Sequence, residues 1–158
     1  MEKEQITDFT RRIVQSNRSE LTVINYEIIF AYLADAKTAH GKEQWDDFKN
    51  ALRKAQNSVT ELINTLNFSY DMSKNLFQIY VFCRDLLSVA MYKRGTAQID
   101  DAERLLRKLY LGFVEAAKQD NSAPLMKNTQ QVYAGYTYGK NDLVETYNGM
   151  DKSRGFFA

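Results

Sequence analysis

Few side chains in this 158-residue sequence carry the chemistry of a metal site or a nucleophile. His40 is the single histidine and Cys83 the single cysteine. A zinc site draws several ligands from Cys and His. The di-iron helical bundles use a Glu-x-x-His motif on each of two helices, which one histidine cannot supply. His40 stands beside Gly41, so its expected place is a helix end, half-exposed or facing the last carbonyls. Cys83 lies inside an apolar periodic segment, which predicts a reduced core thiol and no internal disulfide.

The carboxylate pairs Asp46-Asp47 and Asp100-Asp101 are adjacent in sequence at expected helix starts. There they complement the positive end of the helix dipole. A general acid–base pair would need carboxylates converging from different elements. Arg104, Arg107 and Lys108 read as a solvated face, and the glycines have neither phosphate-loop nor dinucleotide spacing. No enzyme activity, cofactor or metal is expected.

The elements that carry these residues follow from proline and apolar spacing. The only proline is Pro124, and three glycines (Gly41, Gly95 and Gly112) occur in the first 120 residues. Such a stretch is free to be helical. Gly41 and Gly95 are expected to end helices in the left-handed conformation. Gly112 falls within a helical pattern, where it implies close approach by a neighbouring helix.

The expectation is an all-α, antiparallel up-down four-helix bundle over residues 1–120. It comprises a short N-terminal capping helix at 1–15 and bundle helices at 19–40, 45–66, 72–93 and 98–119, followed by a flexible or irregular tail at 121–158. Trp45, Phe48, Leu52, Ala55, Val59, Leu62 and Leu66 form one narrow apolar seam. Ile99, Ala102, Leu106, Leu109, Phe113 and Ala116 form another. Asn17 and Glu20 make a capping box at the start of the first long helix.

The other two bundle helices each carry two apolar stripes. In 19–40 these are Leu21, Ile24 and Ile28, and Val23, Tyr26, Phe30 and Leu33. In 72–93 they are Met72, Leu76, Ile79, Cys83, Leu86 and Ala90, and Phe77, Tyr80, Leu87 and Met91. A helix with two apolar faces must bury both, and a four-helix core absorbs only one from each. The surplus must be covered by the N-terminal segment (Ile6, Phe9, Ile13 and Val14), by the Tyr-rich tail, or by a partner protein.

Composition narrows the partner. Twenty-one basic residues balance twenty acidic ones, for a formal charge of +1, whereas nucleic-acid binding draws its affinity from a basic surplus. No apolar run approaches the roughly 20 residues of a membrane span. The start Met1-Glu2-Lys3-Glu4 is too polar for a secretory signal. The expectation is a cytoplasmic protein with neither nucleic acid nor membrane as partner.

Three ordered segments carry a resemblance. Glu20-Leu21-Thr22-Val23-Ile24-Asn25-Tyr26 comes first. Lys54-Ala55-Gln56 follows, with Glu61-Leu62 and Leu66-Asn67. Asn75-Leu76 with Ile79-Tyr80-Val81-Phe82 is the third. In order and spacing the chain, from about Asn17 to Ala117, resembles the flagellar secretion chaperones, which hold flagellin before export. It departs from them in having Asn17-Arg18 where the family usually has Ser-Pro or Thr-Pro, Glu27-Ile28 in place of Asp-Gly, and Phe113 in place of a common Trp.

The resemblance implies a four-helix bundle whose grooves bind the C-terminal segment of flagellin, which folds as it wraps the bundle. It also implies handover to a component of the flagellar export gate. On this basis Leu21, Ile24, Tyr26, Ile28, Leu76, Ile79, Tyr80 and Phe82 are expected to line or support the groove. Tyr26 and Tyr80 suit half-exposed positions, because a tyrosine has an apolar body and a polar tip. Ile6, Phe9 and Ile13 are expected to form a lid that competes with flagellin. The alternative is a structural module whose surplus apolar faces close a homodimer.

Overall fold

A computed structural model describes residues 1–127, and residues Met1–Leu125 form one compact unit within it. A second unit begins at Met126, and the tyrosines of the tail lie outside the described residues. Five helices and no strand occur among the described residues: α1 (Lys3–Gln15), α2 (Arg18–Gly41), α3 (Trp45–Asn64), α4 (Asp71–Lys93) and α5 (Ala97–Gln119). α2 packs on α3 and α5, and α4 packs on the same two, so α2 and α4 are diagonal across a four-helix bundle. Short connections between packed sequence neighbours make the bundle antiparallel. α1 packs mainly against α2.

The seam of α3 is buried from Phe48 through Leu52, Ala55 and Val59 to Leu62. That of α5 is buried at Ile99, Ala102 and Leu106, with Leu109 and Phe113 partly buried against the core. The two doubly apolar helices pack along lines other than the expected stripes. α2 turns Tyr26, Ile29, Leu33 and Ala36 inward. α4 turns in Leu76, Tyr80, Cys83, Leu87 and Ala90, a 4-3-4-3 spacing that runs between the two expected stripes. Met72, expected on the first stripe, is 68% exposed.

The capping box holds. The Asn17 side chain accepts from the Glu20 N–H at 2.9 Å, and Glu20 Oε2 accepts from the Asn17 N–H at 2.9 Å. The glycines behave otherwise. Gly41 belongs to α2, and the left-handed residues are Glu43 (φ 54°) and Arg94 (φ 51°). Gly95 follows a turn that Arg94 has already made. A β-carbon built on Gly112 would meet nothing within 4 Å, so no helix approaches it closely.

His40 sits at the α2 end in the way its position implied. Its Nε2–H donates to the Arg94 carbonyl at 2.9 Å, tying the end of α2 to that of α4. The ring lies against Trp45 and Phe48, both with centroids at 5.5 Å. One face of the bundle is closed by charge. Lys37 of α2 reaches Asp100 (2.6 Å) and Glu103 (2.7 Å) of α5. Arg107 pairs with Glu103 at 2.6 Å, and its guanidinium lies 4.3 Å over the Phe30 ring. Burial works against ionisation of Glu103, but hydrogen bonds from Lys37 and Arg107 outweigh it and hold its pKa below the usual carboxylate range.

Candidate protein-binding surfaces

The expected site residues separate into two surfaces and a buried link. On the first surface, Leu21, Ile24 and Ile28 of α2 line an apolar cavity of about 490 Å³. Leu62 and Thr65 at the end of α3 close one side, and Ile13 of α1 and Leu125 from beyond α5 add to a lining that also includes the polar Arg18, Thr22, Asn25 and Glu61. Leu21 and Ile28 are half-buried and Ile24 is buried, so the wall is greasy but accessible. The second surface is a stripe of α4. Ile79, Phe82, Leu86 and Val89 share one side of the helix at spacings of three and four. Ile79 and Leu86 lean on the core, while Phe82 is 53% exposed and Val89 is also exposed.

The difference between α2 and α4 has a simple cause. α2 has three helical neighbours and α4 has two, so α2 has more of its apolar surface covered and α4 keeps a stripe in solvent. Phe68 and Phe77, 5.8 Å apart edge to face, extend the exposed apolar area at the α3–α4 corner.

Tyr26 and Tyr80 belong to neither surface. Both are buried, which corrects their expected half-exposed positions. Their hydroxyls lie 2.6 Å apart and share one hydrogen bond at the centre of the bundle. A phenol tip that finds its partner inside has no need of water. Burial drives the pKa of both hydroxyls upward. Leu76 is likewise buried, beneath the α4 stripe.

The three expected lid residues are placed unequally. Ile13 lines the cavity, Phe9 is half-buried, and Ile6 is 51% exposed and outside the cavity lining. α1 is fixed to α2 by Val14, which is buried, and by an ion pair of 2.6 Å between Arg12 and Glu27. The other oxygen of Glu27 accepts from the Tyr110 hydroxyl of α5 at 3.1 Å.

Among the described residues, no group of three or more His, Cys, Asp or Glu side chains could hold a metal ion. Cys83 is a free, buried thiol that burial pushes up to about 12, which keeps it protonated and poorly nucleophilic. No helix of the described residues is long and apolar enough to cross a membrane.

Sequence reasoning missed Ile29 and Leu125, while Val14, read as part of the apolar face of the N-terminal helix, is its buried residue. Ile29 was detectable, since it completes a Tyr26–Ile29–Leu33–Ala36 line at helical spacing. Leu125 has no periodic neighbours and carries no such signal.

Among the described residues, the helical bundle leaves an apolar cavity on α2 and an apolar stripe on α4 open, an architecture that fits the class of helical-bundle chaperones. Residues 2–120 match the family model described as flagellar protein FliS, and the chain belongs to that family, the flagellin export chaperones. No curated protein matches the chain.

Proposed function

We propose that this chain binds the C-terminal segment of flagellin in the cytoplasm, keeps it from polymerising prematurely, and delivers it to a component of the flagellar export gate. The observation that carries this reading is the placement of Leu21, Ile24 and Ile28 on one surface and Ile79 and Phe82 on another, on diagonal helices. A ligand confined to one helix does not touch both. An extended segment that forms short helices as it wraps the bundle can.

In this reading Leu21, Ile24, Ile28, Ile79 and Phe82 make the direct contacts. Leu76, Tyr26 and Tyr80 support them from below. Burying about 2,000 Å² at roughly 25 cal/mol per Å² gives a gross term of tens of kcal/mol. Much of it offsets the ordering of the bound segment, so preorganisation of the two surfaces sets the net affinity. α1 acts as a lid through Ile13, and its removal leaves the cavity wall ready for flagellin.

Calorimetric titration with a peptide from the flagellin C-terminus tests the reading. Saturable binding that is weakened by Phe82→Asp and by Leu21→Asp is expected. Deletion of residues 1–15 is expected to strengthen binding. A concentration-independent dimer by light scattering, with no heat on peptide addition, would favour the homodimer module instead.

A further inference from the structure

The chain does not leave the bundle where α5 ends. The Asn17 side-chain amide donates to the carbonyls of Asp120 (3.2 Å) and Ser122 (3.3 Å). The Ser19 hydroxyl donates to the Asp120 carboxylate at 2.5 Å. The Leu125 N–H donates to the Ser16 carbonyl at 3.0 Å. The Asp120 carboxylate also accepts from the N–H (3.0 Å) and hydroxyl (2.5 Å) of Ser122, which turns the chain back. Pro124 then stiffens the approach to Leu125.

All of these contacts converge on one joint. Ser16 is the C-cap of α1 and Asn17 the N-cap of α2, so the two residues form the hinge about which α1 would swing. Both are buried. One Asn17 side chain serves both sides: its oxygen caps α2 and its amide holds the returning chain. The Leu125 side chain sits at the mouth of the cavity with Ile13 and Leu21, yet is 56% exposed, so it can leave without opening the core. The family match ends at residue 120, which puts Asn121–Leu125 outside the region shared with the family.

We propose that Asp120–Leu125 is an intramolecular strap that clamps the α1–α2 hinge and fills the cavity mouth, so that an incoming apolar segment must first displace it. The gating part rests on the reading of the cavity as a flagellin surface; the clamping part does not. A strap that holds the closed form lowers apparent affinity by the fraction of molecules that are open.

The test uses the full chain with two strap variants, Ser19→Ala/Leu125→Ser and Asp120→Ala, and Glu115→Ala as a control on the exposed Lys118 pair. Hydrogen exchange of the α1 amides is read in the free protein, and affinity is read with the flagellin C-terminal peptide. Both strap variants are expected to speed α1 exchange about five- to tenfold while α3–α5 stay protected, as the loss of one or two hydrogen bonds implies. Peptide affinity is expected to rise by a similar factor.

Unchanged α1 exchange in both variants overturns the strap, even if the peptide binds all forms equally well. Faster exchange with unchanged or weaker peptide affinity overturns the gating. Faster exchange with no peptide binding by any form, wild type included, upholds the clamp and removes the flagellin reading.

Discussion

The hydroxyls of Tyr26 and Tyr80 meet at 2.6 Å across the bundle diagonal, joining α2 and α4, which otherwise pack through the α3 and α5 that lie between them. Removing one hydroxyl leaves the other buried and unpaired. Tyr26→Phe or Tyr80→Phe is therefore expected to cost about 1–3 kcal/mol of stability, and the double variant less than the sum of the two. Urea unfolding of the three variants measures it, and simple additivity would remove the pair from the core's account.

The same pair sets an alkaline limit. Both hydroxyl pKa values are raised in the folded state, so their contribution is complete below pH 10, the unfolded tyrosine value. It is lost as pH rises beyond that point, because only the unfolded chain can ionise them freely. The slope approaches about 1.4 kcal/mol per pH unit per tyrosine. Unfolding midpoints between pH 9 and 11 should fall more steeply for the wild type than for Tyr26→Phe/Tyr80→Phe.

Phe82 gives the cleanest separation of binding from folding. Its ring is 53% exposed, so Phe82→Asp is expected to move the melting temperature by no more than a degree or two, since substitutions at exposed sites usually stay within about 0.5 kcal/mol. The same change is expected to weaken flagellin-peptide binding about tenfold or more, as loss of an aromatic anchor does. Ile29→Ala, fully buried, should do the reverse, costing about 2–5 kcal/mol of stability.

Cys83 reports on global opening. Its thiol is buried and held protonated up to about 12, so a thiol reagent at pH 8 should modify it only through unfolding. Labelling as fast as that of a free cysteine would mean that the α4–α5 interface breathes.

The narrow seams were readable because each apolar residue of α3 has a polar one opposite, which leaves one orientation. α2 and α4 are apolar on several sides, and periodicity alone could not choose the inward line; neighbours did. That is why Ile29 was overlooked and Met72 placed inside. Tyr26 and Tyr80 each read as amphipathic when taken singly, whereas each has its partner 54 positions away. Glu43 and Arg94 show that a non-glycine residue will take a left-handed turn when the flanking helices over-determine it. The segment after Asp120 is held by hydrogen bonds to a helix joint, and such contacts leave no periodic trace.

The two oxygens of Glu27 point to different owners, one to Arg12 and one to Tyr110. If the first helix departs, only one of those grips is released, and the four-helix body keeps the other. The appendage is thus tied to the bundle by a contact separate from the one that Glu27 makes within the four-helix body.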